Sequence, residues 1–165
     1  MADNFFSLVR TRDQDALDEW NTQPPVQDYD TGFKGASDHE LRNLVQPLID
    51  RATQGKSTSI TTGWIAALDD KSEAQAAVVM HYCYPQEDWG DEPIVGRGKV
   101  SDGVIWWKWR VPFKAAWTVC NDIDSIGIDA IELYSRLEYQ DADGVLQTEM
   151  PEKIIQGEIE DPNGQ

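Results

Sequence analysis

The spacing of apolar positions divides the chain into a helical beginning and a strand-rich remainder. Ser37 and Glu40 have capping-box spacing, in which a serine hydroxyl and a glutamate carboxylate satisfy N–H groups that a helix start leaves open. Behind them Leu41, Leu44, Val45, Leu48, Ile49 and Ala52 recur at three- and four-residue intervals. That pattern is one apolar helix face, so a helix is predicted over Ser37–Thr53. Pro47 removes one backbone donor inside it, and Gly55 supplies the stop. Upstream, Phe5–Val9 reads as a short strand or packed arm. Thr11 and Gln14 repeat the capping spacing, which predicts a first helix running to about Asn21 and burying Ala16, Leu17 and Trp20. Thr22-Gln23-Pro24-Pro25 ends it, and residues 22–36 read as a loop.

Beyond Gly55 the period becomes two. Ser59–Leu68 reads as a strand, Asp69–Ser72 as a turn and Ala74–Tyr84 as a second strand. The second strand presents Val78, Met80, Tyr82 and Tyr84 on one face and Ala77, Val79, His81 and Cys83 on the other. Pro85–Pro93 is an acidic loop. Ile94–Val100 and Val104–Val111 flank Asp102-Gly103, a dipeptide suited to a type I′ hairpin turn. Phe113–Cys120 is a candidate extension of the sheet, and residues 121–129 read as a loop. Residues 130–140 fit either a strand or a helix burying Ala130, Leu133, Tyr134 and Leu137. The strand is preferred, because Asp141–Gly144 followed by Val145-Leu146 has the composition of a hairpin turn. From Gly157 the chain reads as a fraying acidic tail. The predicted fold is α+β, with two N-terminal helices packed on an antiparallel β-sheet of five to seven strands, in a single domain spanning 1–165.

Composition supports a core, since 40% of residues are hydrophobic and seven are Trp. Charge changes the picture more. The chain has 30 acids and 14 bases, a formal net charge of −16. Such a surface repels phosphate backbones and anionic lipids and attracts basic partners. Direct nucleic-acid binding and membrane association are therefore not expected. The charge is uneven. Residues 97–117 hold Arg97, Lys99, Lys108, Arg110 and Lys114 against Asp102, a local +4 that leaves −20 elsewhere. On a strand, Ile105, Trp107, Trp109 and Val111 would face the core, and Trp106, Lys108 and Arg110 the opposite side. Exposed Trp and Arg are favoured anchors at interfaces, so Trp106, Lys108 and Arg110 are candidate partner-binding residues. Trp89, Asp88, Asp91 and Glu92 of the acidic loop are the others.

Reactive chemistry is poorly represented. Gly55-Lys56-Ser57 lacks the glycine that a phosphate loop requires five residues earlier, where Asp50 stands. Asp122–Gly127 begins like a calcium loop, yet Ile126 and Leu133 occupy positions that need oxygen ligands. His81, Cys83 and Cys120 make an incomplete zinc set, and the His81/Cys83 pair lacks an orienting acid for nucleophilic catalysis. No catalytic, cofactor or metal residue is assigned, and no cofactor is expected. The start of the chain lacks a basic segment followed by an apolar run, and no apolar stretch is long enough to span a bilayer, so a cytoplasmic location is expected. Two functions fit. One is a non-catalytic inhibitor of phage, mobile-element or immunity type that neutralises a basic target, with carboxylates imitating DNA phosphates. The other is a self-assembling structural subunit of a phage or virion, in which the +4 segment of one copy meets the acidic surface of the next.

Overall fold

Two nine-residue strands rich in β-branched and aromatic side chains form the middle of an antiparallel sheet. In this computed structural model, which describes residues 6–18, 22, 32–55 and 61–164, the four strands are β1 (Trp64–Ala67), β2 (Ala77–Pro85), β3 (Lys99–Ser101) and β4 (Val104–Pro112). Their order in the sheet is β1-β2-β4-β3. Six α-helices stand among the described residues: α1 (Asp38–Thr53), α2 (Ser72–Gln75), α3 (Gln86–Trp89), α4 (Ala116–Ile126), α5 (Ile128–Tyr134) and α6 (Glu149–Ile155). The fold class is α+β, and the chain divides into two compact units, residues 1–62 and 63–165.

In the first unit α1 follows its capping signal. Ser37 Oγ accepts the Glu40 N–H at 3.3 Å, and the Glu40 carboxylate accepts the Ser37 N–H at 2.8 Å. The Ser37 N–H, and then the Ser37 hydroxyl at 2.8 Å, donate to the Glu40 carboxylate and hold it below its ordinary value. Leu48 and Ile49 of the apolar stripe are buried, and Gly55 takes the left-handed conformation after the helix. The helix expected from Thr11 does not form across 11–18. Gln14 uses its side chain on a loop instead, with Oε1 accepting from the Arg10 N–H at 2.7 Å and Nε2 donating to Ala16 O at 2.6 Å. Such side-chain-to-backbone bonds compete with helix formation. Phe6–Val9 is not a strand. It is an arm held at Thr22, whose N–H donates to Phe6 O and whose Oγ1 accepts from the Leu8 N–H. The expectations for Phe5 and Trp20, and Lys56-Ser57 of the phosphate-loop candidate, lie outside the described residues.

The second unit contains the sheet. β2 and β4 pair along their full length, from Ala77↔Pro112 to Pro85↔Val104. The Asp102-Gly103 turn has positive φ at both residues, as a type I′ hairpin requires. The sheet has four strands rather than five to seven. Of Ser59–Leu68 only Trp64–Ala67 pairs among the described residues, and Ile94–Val100 contributes only its last two residues to β3. Residues 113–134 form a 3-10 turn and two helices, not strands and a loop. Ala116, Val119, Cys120 and Ile123 recur at helical spacing, and their face packs on the core. Gly127, at φ 75°, breaks α4 from α5, and Ala130, Ile131, Leu133 and Tyr134 are buried on α5. Asp141–Gly144 does turn the chain, although only one antiparallel bridge, Gln140↔Leu146, follows it. Near the C-terminus Asp161 accepts both guanidinium nitrogens of Arg136, at 2.7 and 2.8 Å.

Candidate functional site

Pleating sorts the side chains of the sheet into two chemically distinct faces. One face carries Trp64 on β1, Met80, Tyr82 and Tyr84 on β2, and Ile105, Trp107 and Trp109 on β4, packed with α4 and α5. The other carries Ile65, His81, Trp106, Lys108 and Arg110. Trp106 is 7% exposed and His81 1%, so this second face is substantially buried too.

On the first face the rings form a continuous row. Trp109 and Trp64 have centroids 6.2 Å apart, Trp64 and Tyr82 4.7 Å, Tyr82 and Trp107 5.8 Å, Trp107 and Trp89 5.4 Å, and Trp89 and Tyr84 5.9 Å. The interplanar angles of 36–43° through most of the row, and 78° at its end, are tilted or edge arrangements that aromatic quadrupoles favour over face-to-face stacking. Trp107 is the buried floor, whereas Trp64, Tyr82, Tyr84 and Trp89 are half-buried. Each indole N–H is satisfied. Trp107 donates to Val95 O at 2.8 Å, Trp109 to Ser135 Oγ at 3.0 Å, Trp89 to Glu92 O at 3.1 Å and Trp64 to Asp124 Oδ1 at 2.9 Å. Gly98 closely approaches the Trp107 indole, and an added Cβ would come within 2.7 Å of the ring.

Carboxylates stand at both ends of the row. At one end Asp124 touches Trp64. Burial first, and then the Asp124 charge, push the Tyr82 phenol and the Cys120 thiol each up to about 12. At the other end Glu87, Asp88, Asp91 and Glu92 surround Trp89 in sequence and are all exposed. Residues 72–96 contain five acids and residues 115–135 four, with no Lys or Arg in either segment. Of the +4 segment, Lys99, Lys108 and Arg110 lie on the opposite face, whereas Arg97 reaches Ser135 on the aromatic side. Lys99 pairs with Trp106 in register, and Lys108 and Arg110 share the Trp106 face. Arg110 forms a bidentate ion pair with Asp69, which holds that carboxyl well below the usual carboxylate range. Arg97 donates to Ser135 O at 3.0 Å.

The seven residues singled out in sequence thus fall into two groups. Trp89, Asp88, Asp91 and Glu92 lie at the acidic end of the aromatic row. Trp106, Lys108 and Arg110 lie on the opposite face, with Trp106 buried, Arg110 half-buried and Lys108 exposed. Trp64, Tyr82, Tyr84 and Asp124 join the first group. Pleating alone pairs Tyr82 with Tyr84, but register was needed to add Trp64, and a helix in place of a loop to add Asp124.

Neither metal candidate comes together. Asp122 and Asp124 sit on α4 rather than in a loop, Asp122 accepting the Tyr134 hydroxyl at 2.5 Å. Cys120 packs on the core face, opposite to His81 and Cys83. Among the described residues no three His, Cys, Asp or Glu side chains are placed to hold a metal ion, and no helix is long and apolar enough to cross a membrane.

No family model, curated protein or solved structure matches the chain.

Proposed function

We propose that this chain is a non-catalytic acidic binding protein that engages a basic partner protein through the carboxylate-framed aromatic row of residues 63–165. The observation that carries this reading is the separation of charge across the sheet. Lys99, Lys108 and Arg110 belong to one face, while on the other the charges beside Trp89 in sequence and Trp64 in space are carboxylates and Arg97 is committed to Ser135 O. A one-signed rim beside half-buried aromatic rings offers long-range attraction to a basic surface and short-range contact area once it arrives. The groups with displaced protonation also favour binding over catalysis. The Cys120 thiol is pushed away from the thiolate that a nucleophile needs, and Asp69 and Asp161 are held ionised by arginines rather than poised as acids. A target that otherwise binds nucleic acid has the matching surface, which makes the protein an inhibitor of phage, mobile-element or immunity type acting in place of DNA.

Poly-L-lysine is the probe that tests this. Glu87, Asp88, Asp91 and Glu92 are changed together to Gln or Asn in one variant, and the exposed Asp70, Asp143, Glu158 and Glu160 in another of equal net charge. The first is expected to lose several-fold more affinity than the second, with a shallower salt dependence. Equal losses would reduce the acidity to general solvation and end the proposal.

A further inference from the structure

Resting on that reading, we infer that the open edge of β1 receives an extended, lysine- or arginine-bearing strand of the basic partner, which adds a fifth strand to the sheet beside Trp64 and Ala66. The pairing of β1 fixes which backbone groups are available. The Cys83 N–H donates to Gly63 O at 2.9 Å, so Gly63 and Cys83 are a hydrogen-bonded pair of the antiparallel ladder. Such pairs alternate along the strands, which turns the N–H and C=O groups of Ile65 and Ala67 toward His81 and Val79 of β2. Those of Trp64 and Ala66 point the other way. Among the described residues none pairs with that outer edge, since β1 ends the sheet order. The edge is also accessible, for Ala66 is exposed and Leu68 just beyond the strand is 70% exposed.

The opposite edge of the sheet is guarded. β3 has three residues and carries Lys99, and short length and lysine both blunt an edge. Part of β4 beyond β3 is taken by Val145 and Leu146, the Leu146 N–H donating to Arg110 O at 2.8 Å. β1 has neither Lys nor Pro, and its four side chains are all apolar. An unpaired apolar edge is a template for strand addition, in which main-chain hydrogen bonds supply affinity and alternate side chains supply selectivity. Charge decides the occupant. Asp124 is exposed and accepts the Trp64 indole N–H at 2.9 Å through Oδ1, which sets a carboxylate on the aromatic side of this edge. A cationic side chain on that side of an added strand lies beside it. A second copy would instead bring another net charge of −16 to the edge, against like charge.

The probe is a short peptide of alternating Val and Thr with a lysine at each end and capped termini. One control has the same sequence with N-methylated backbone amides, which cannot form a ladder, and another has glutamate ends. Binding is measured by titration at physiological salt, and hydrogen exchange of the protein's backbone amides is followed by NMR. The lysine-ended peptide is expected to slow exchange at Trp64 and Ala66 and to leave Val100 of β3 unchanged. N-methylation should weaken binding by about tenfold or more, the scale of one or two lost hydrogen bonds, and glutamate ends by a similar factor. Ala66→Pro removes an outward N–H and no donor of the β1–β2 ladder, so it should abolish peptide binding at an unchanged melting temperature. If that variant fails to fold, the exchange pattern of the unaltered protein decides. Failure of the lysine-ended peptide to bind, equal binding of its N-methylated form, or unprotected Trp64 and Ala66 amides overturns strand addition, while the acidic-binder reading stands on its poly-L-lysine test. Equal binding of the glutamate-ended peptide overturns the basic occupant, as does self-association of the protein alone that protects the same two amides. If neither the peptide nor poly-L-lysine binds, the two readings fall together.

Discussion

Trp106 and Trp107 are adjacent in sequence and buried on opposite faces of one sheet, at 7% and 1% exposure. At the scale of single residues, environment rather than type decides what each aromatic or titratable group can do. Cys120 illustrates this. Burial, reinforced by the Asp124 charge, favours the neutral thiol and raises it from 9.0 to about 12 in the folded protein. A group whose folded value is raised contributes stability that is present below its unfolded value and lost as pH climbs through the folded one. Stability should therefore decline between about pH 9 and 12, with Tyr82 adding to the upper part of that fall. In Cys120→Ala the slope over this window should be shallower by about one proton, measured by urea unfolding at stepped pH. An unchanged slope would mean that the thiol titrates alike in both states.

At the scale of elements, the α4–α5 corner depends on one backbone conformation. Gly127 has φ 75° and ψ −126°, caps the end of α4 and precedes α5, and a Cβ placed there would meet nothing within 4 Å. The cost of Gly127→Ala is therefore backbone strain without steric clash, on the order of 1–3 kcal/mol. Ser125→Ala, at an exposed position of α4 with ordinary helical backbone, is the control. Equal denaturation midpoints for the two would show that the corner tolerates an ordinary residue. This corner is also where the pattern of the chain misleads. Ile131, Leu133, Leu137 and Tyr139 alternate as in a strand, while Ala130, Leu133, Tyr134 and Leu137 also fit a helix face. Both sets contain Leu133 and Leu137, and short apolar runs do not separate the two periods; Leu137 itself lies beyond α5 and is exposed. In the folded chain Ala130, Ile131, Leu133 and Tyr134 are all buried, and α5 with α4 packs on the aromatic face of the sheet.

At the scale of the whole molecule, a net charge of −16 opposes compactness through self-repulsion. Raising sodium chloride from about 0.01 to 0.5 M shortens the screening distance severalfold, so the melting temperature should rise across that range by calorimetry. A falling melting temperature would show that ion pairs such as Arg110–Asp69 and Arg136–Asp161 outweigh the repulsion. The sequence by itself determined those elements whose signals are local and redundant. The Ser37/Glu40 cap with its apolar stripe produced α1, Asp102-Gly103 produced the β3–β4 turn, and alternation produced β2 and β4 with the right residues sharing each face, although Trp106, read as an exposed anchor, is buried. The acidity, too, was plain from composition. Tertiary structure decided what depends on neighbours distant in the chain. It made helices of residues 116–134, because their apolar faces had a sheet face to cover, and left residues 11–18 without a helix, because Gln14 found backbone partners in a loop. It also joined Trp64, Tyr82, Trp107 and Trp89 into one row and set Asp124 against its end. Those contacts span up to 60 positions, and only strand register and helix packing bring such residues together.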